Sequence, residues 1–116
     1  MKATKRAKGA PARMSAERLS EMAEEATVDA HDGWEQALGW HSILEENLEL
    51  PFATKVLGVE VSVSSIELRE SGQIVAVCLH GRLRQAILLV DLPLPTPRPA
   101  GSDWVEAYRW WLPQQG

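Results

Sequence analysis

A single cysteine, Cys78, in 116 residues excludes an intrachain disulfide and a thiolate zinc cage. No apolar run reaches the roughly 18–20 residues needed to span a bilayer. The N-terminus is basic but lacks the apolar stretch of a secretory signal, so a cytoplasmic location is the default expectation. A P-loop, a dinucleotide fingerprint, a G-x-S-x-G elbow and an HExxH helix are all missing. The three histidines, His31, His41 and His80, are scattered. No nucleophile–base or acid–base constellation can be named, and the expectation is a protein that is not an enzyme.

What is present is an ordinary apolar fraction of 45%, enough for one modest core, and five tryptophans. Rings of that size in so short a chain must be covered by packing or by a partner. The net charge of −4 hides an uneven distribution. Residues 1–18 hold Lys2, Lys5, Lys8, Arg6, Arg13 and Arg18 against Glu17 alone, whereas residues 19–116 carry a net of −9. A body so acidic repels phosphates, so no nucleic acid is expected on it; cations and basic partners are its natural counterparts.

Residues 1–14 show no apolar periodicity and read as a flexible basic tail, with a tether for an acidic surface or nucleic acid as the alternative. The rest, 15–116, reads as one domain with a helical part (15–50), a β part (53–95) and a last helix (102–112). Ser15 is a candidate N-cap for a first helix whose Leu19, Met22, Ala23 and Ala26 recur at helical spacing. Asp32-Gly33 interrupts the run: Gly33 suits the left-handed position that ends the first helix, and Asp32 can cap the next. From Trp34 to Leu48 the period is clearest. Ala37, Trp40, Leu44 and Leu48 share one face, with Glu35, Ser42, Glu46 and Glu49 opposite. Pro51 is the expected stop, and Phe52 the inward anchor after it.

From Val56 the pattern turns to short β-rich runs at Val56–Val63, Ile66–Leu68, Ile74–Leu79 and Ala86–Leu92. Glu70-Ser71-Gly72 and His80-Gly81 are the best hairpin turns. Short strands joined this closely predict a small antiparallel barrel within an α+β fold. Pro93, Pro95, Pro97 and Pro99 then enforce an extended connector, with a ligand for an aromatic-grooved domain as the alternative reading. Ser102 is the expected cap of the final helix, where Trp104, Tyr108 and Trp111 share a face and predict docking onto the second helix or the barrel. A stacking platform is the alternative use of those rings.

Two constellations carry candidate chemistry. Cys78 and His80 share a strand face, as a zinc or nucleophile pair would, although a buried Cys78 is the plainer reading. The other is oxygen. Asp29, Asp32 and Glu35 recur at spacings of three about the break between helices, followed by Glu45, Glu46 and Glu49. Hard cations such as Ca²⁺ take 6–8 oxygen ligands from carboxylates, carbonyls and water. The spacing is not that of an EF-hand, and a solvated helix face is the plain alternative.

The stretch Val28-Asp29-Ala30-His31-Asp32, then Gly39-Trp40, Leu44-Glu45-Glu46-Asn47-Leu48 and Pro51-Phe52, resembles the signature of the cyanobacterial-type calcium-binding protein family. Val75-Ala76-Val77, His80-Gly81-Arg82 and Leu88-Leu89-Val90-Asp91-Leu92 are similar to its final strand pair, and Asp103–Leu112 to its aromatic last helix. The resemblance implies N-terminal helices packed on an SH3-like five-stranded β-barrel and reversible Ca²⁺ binding in a buffering or signalling role. It carries the metal positions onto Asp29, Asp32, Glu35, Glu45 and Glu46, with Glu49 weaker. It departs at His31, where tyrosine is usual, and at Gly33 and Trp34, where acids are common. The competing reading is an SH3-like interaction module that holds a protein partner through Trp34, Leu38 or the last helix.

Overall fold

The computed structural model describes residues 14–115, so the expected tail, Met14 apart, lies outside the described residues. Ser15 starts the first helix as expected: its extended backbone lets Oγ accept from Arg18 N at 3.1 Å, and α1 spans Ala16–Ala26. Leu19, Met22, Ala23 and Ala26 form its buried side. Thr27 closes the helix, with both its N–H and its hydroxyl donating to Ala23 O. The left-handed residue after it is Asp29, at φ 63°, and not Gly33, which is instead the first residue of α2 (Gly33–Asn47). Aspartate tolerates that conformation because its short polar side chain costs little there.

Along α2, Ala37, Trp40 and Leu44 are buried, and Leu48 just past its end is buried as well. The helix stops before Pro51 acts, since Leu48 is already extended (ψ 124°) and the Asn47 side chain donates from Nδ2 back to Ile43 O at 2.8 Å. The chain then forms β1 (Phe52–Val56), β2 (Val59–Leu68), β3 (Ile74–His80) and β4 (Leu83–Leu88), an antiparallel sheet in sequence order. The run read as Val56–Val63 is therefore split by a turn at Leu57-Gly58. Leu57 takes φ 52° there and Gly58 φ 80°, and Gly58 is the turn signal in the sequence, set inside a run of β-formers. The other two turns stand where expected, with Gly72 and Gly81 at positive φ. A register shift between Val63 and Ser65 joins Ile66–Leu68 to the same strand.

Among the described residues the sheet has four strands and does not close, so the five-stranded SH3-like barrel is not observed there. The chemistry of residues 89–97 explains this. The expected strand Ala86–Leu92 ends at Leu88, and Leu89–Asp91 is a 3-10 turn. The next segment flanks β1, sharing a groove with Ala53, Thr54 and Lys55, but its alternate residues are prolines. Proline has no N–H to donate to a ladder. What remains is one side-chain bond, Thr54 Oγ1 to Pro93 O at 2.7 Å.

The last helix, α3 (Ser102–Trp111), is entered through Gly101 at φ 84°, and no side chain caps it; Ser102 is its first residue and is buried. Its rings dock as expected. Trp40, with no exposed surface, has Trp104, Tyr108 and Trp111 at ring-centroid distances of 6.5, 5.4 and 5.5 Å. Around this aromatic centre pack Leu19, Met22, Leu44, Ile66, Ile74 and Leu89. Full burial of side chains of this size is worth about 1.5–3 kcal/mol each.

Candidate metal centre

The α1–α2 junction is built from residues 27–35, and two of its three acidic side chains are engaged in local hydrogen bonds. Asp32, extended at φ −146°, is the N-cap of α2, its Oδ1 accepting from Glu35 N at 2.8 Å. Glu35 reaches back, Oε1 accepting from His31 N at 2.6 Å. The pair is a variant capping box, displaced by one residue at its return bond. Asp29 sits on the left-handed turn residue and is exposed. Expectation and structure agree on Asp32 as a cap; the engagement of Glu35 was not foreseen.

Glu45 and Glu46 lie further along the same helix, both exposed. The ten residues from Glu35 to Glu45 advance about 15 Å at the α-helical rise. Calcium–oxygen distances are only 2.3–2.6 Å, so the junction acids and the Glu45–Glu46 pair are not gathered about one point. Glu45 Oε2 instead approaches His41 Nε2 at 3.6 Å, and that ring nitrogen also lies 3.0 Å from Ile66 O. Glu49 is similarly engaged. Its Oε1 accepts from Ala100 N at 3.1 Å while its own N–H donates to Ala100 O at 2.8 Å, which ties the proline-rich connector to the end of α2.

The donor chemistry, exposed carboxylate oxygen, suits a hard divalent cation. The placement does not: among the described residues no three His, Cys, Asp or Glu side chains form a group that could hold a metal ion. The residues present therefore do not fit a preformed calcium cage. The zinc-type pair fares no better, for Cys78 is buried and His80 Nδ1 lies 3.0 Å from Glu60 O. Burial pushes the Cys78 thiol up, which keeps it protonated at neutral pH.

Two features of the fold escaped the sequence analysis, and a third brings together rings that it had considered separately. A Cβ at Gly39 would stand closer than 3.0 Å to the carbonyl oxygen of Ala26, so α1 and α2 touch backbone to backbone there. A glycine inside a helical pattern is the signal that could have revealed it. Arg109 donates to Leu89 O through Nε at 3.2 Å and Nη2 at 2.8 Å, and through Nη2 also to Leu92 O, locking the 3-10 turn onto α3. Nothing local in the sequence marks that role. The third is a groove beside the cap, where Trp34, Ala37, Tyr108, Trp111 and Leu112 come together with Glu70. Trp34 and Leu38 remain 45% and 42% exposed.

The family model described as calcium binding, of the CcbP type, matches residues 20–112. No curated protein sequence matches the chain. Among solved structures, the crystal structure of Anabaena CcbP superposes with a TM-score of 0.65 at 21% identity, covering 86% of this chain and 93% of that one. A calcium binding protein in its calcium-binding form superposes with a TM-score of 0.67 at 20% identity, covering 87% and 97%. At these identities the superpositions establish a shared fold. No helix of the described residues is long and apolar enough to cross a membrane.

Proposed function

The chain belongs to the CcbP-type calcium-binding family, and from that membership we propose that it is a non-catalytic Ca²⁺-binding protein acting as a buffer or sensor. The family match over residues 20–112 is the observation that carries the proposal. Asp29, Asp32, Glu35, Glu45 and Glu46 are the carboxylates proposed to supply oxygen, all on the exposed side of the helical part. With donors spread along α2, binding draws on exposed carboxylates, carbonyls and water, and reversibility at modest affinity follows from the low number of charges at any one point.

Calcium titration followed by amide NMR and by melting tests the proposal. A ligand that binds only the folded state stabilises it by mass action, about 2.7 kcal/mol at one hundred times Kd. Shifts confined to residues 29–35 and 45–49, lost in Asp29→Asn or Glu46→Gln, are the expected result. A melting curve and spectra that millimolar Ca²⁺ leaves unchanged would sink the assignment. The exposed Trp34 and Leu38 beside the aromatic groove favour one second reading, an interaction module for a protein partner. Metal-independent capture of a partner, abolished by Trp34→Ala, distinguishes it.

A further inference from the structure

We infer that Asp32 and Glu35 at the α1–α2 junction serve this chain first as the metal-independent cap at the start of α2, so that any cation drawn to them competes with the cap instead of filling a ready cage. The second clause rests on the calcium reading above; the first does not. The start of α2 needs such help. Gly33 opens the helix with the poorest propensity short of proline, and the bulky Trp34 follows it. The first N–H groups of a helix have no intrahelical partner. Here Asp32 Oδ1 takes one of them, the N–H of Glu35, and Glu35 Oε1 takes the N–H of His31, just before the cap, which holds the entry to the helix. Both carboxylates also sit at the positive end of the helix dipole, which favours their charge.

The family's ion and this chain's side chains thus pull in different directions at one place. A tight preformed calcium site would hold three or more acids converging with free lone pairs. In the described residues no three converge, and an oxygen of Asp32, of Glu35 and of Glu49 already accepts from backbone N–H.

The test compares wild type, Asp32→Asn and Asp32→Ala, melted in EDTA and again in CaCl₂. Asparagine caps as well as aspartate but lacks its charge, whereas alanine cannot cap. In EDTA, Asp32→Ala should melt lower by about 4–8 °C, while Asp32→Asn stays near wild type. If Asp32→Ala melts with wild type in EDTA, or Asp32→Asn falls as far as Asp32→Ala, the cap assignment is wrong. Calcium titrated into wild type should shift the His31 and Glu35 amides, the two N–H groups that the carboxylates hold. Saturable binding at residues 29–35 that leaves both amides unmoved would overturn the competition. No calcium response with a destabilised Asp32→Ala would refute the calcium reading and leave the cap standing.

Discussion

Gly39→Ala is a substitution whose sign divides two arguments. In an isolated helix it should stabilise, because alanine exceeds glycine by about 0.8–1.0 kcal/mol per interior position. In this fold the added Cβ meets main chain. It falls closer than 3.0 Å to Ala26 O and 3.3 Å from the carbonyl carbon behind it. Neither atom belongs to a flexible side chain, so α1 and α2 must separate along their seam. Beside that seam Ala23, Ala26 and Trp40 are all buried in the one core cluster. A radial gap of about 0.5–1 Å forfeits a quarter to a half of each dispersion contact across it. Overpacking of a tight core costs about 1–3 kcal/mol. The upper part of that range applies here because backbone must move, and it outweighs the propensity gain. The net expectation is a loss of about 1–2 kcal/mol, a melting temperature lower by about 4–16 °C for a domain of this size. Thermal melts and urea titrations by circular dichroism at 222 nm read it, with an unchanged m-value showing that the unfolded reference is the same. A variant that melts at or above wild type would refute the backbone contact, and with it the account of Gly39 as the residue that lets the two helices bracket the junction.

Other expectations are read with the same melts. Leu44→Ala, at a fully buried position beneath the aromatic centre, should cost about 2–5 kcal/mol. Arg109→Leu removes the guanidinium bonds to Leu89 O and Leu92 O, although Leu89 O still accepts from Leu92 N–H, and should cost about 1–3 kcal/mol, with the largest amide shifts around the 3-10 turn. Alkali should destabilise the fold. Burial raises the Cys78 thiol above its ordinary 9.0, and it raises the Tyr108 phenol above 10.0 against a smaller opposing effect of its backbone hydrogen bond at Ile74. The unfolded chain therefore loses these protons first, binds fewer than the native state, and stability falls as pH rises through about 9 to 10. A melting temperature that rises over that window would contradict the burial of both groups.

Periodicity by itself identified the helices and their buried faces, since an apolar stripe at the helical repeat has no stable place but a core. Leu19, Met22, Ala23, Ala26, Trp40, Leu44 and Leu48 were all legible in this way. Local chemistry likewise marked Ser15 and Asp32 as caps and Gly72 and Gly81 as turns, because each acts within three or four residues of itself. The family signature was also a property of the linear chain. Only the tertiary structure decided the rest. Whether the strands close depends on which segment comes to lie beside β1, and the prolines at 93 and 95 deny that neighbour its donors. Whether the acids assemble depends on the straightness of α2, which carries Glu45 and Glu46 away from Asp29 and Asp32. A list of carboxylates states how much negative charge the chain holds. The hydrogen bonds from His31, Glu35 and Ala100 determine how much of it is left for an ion.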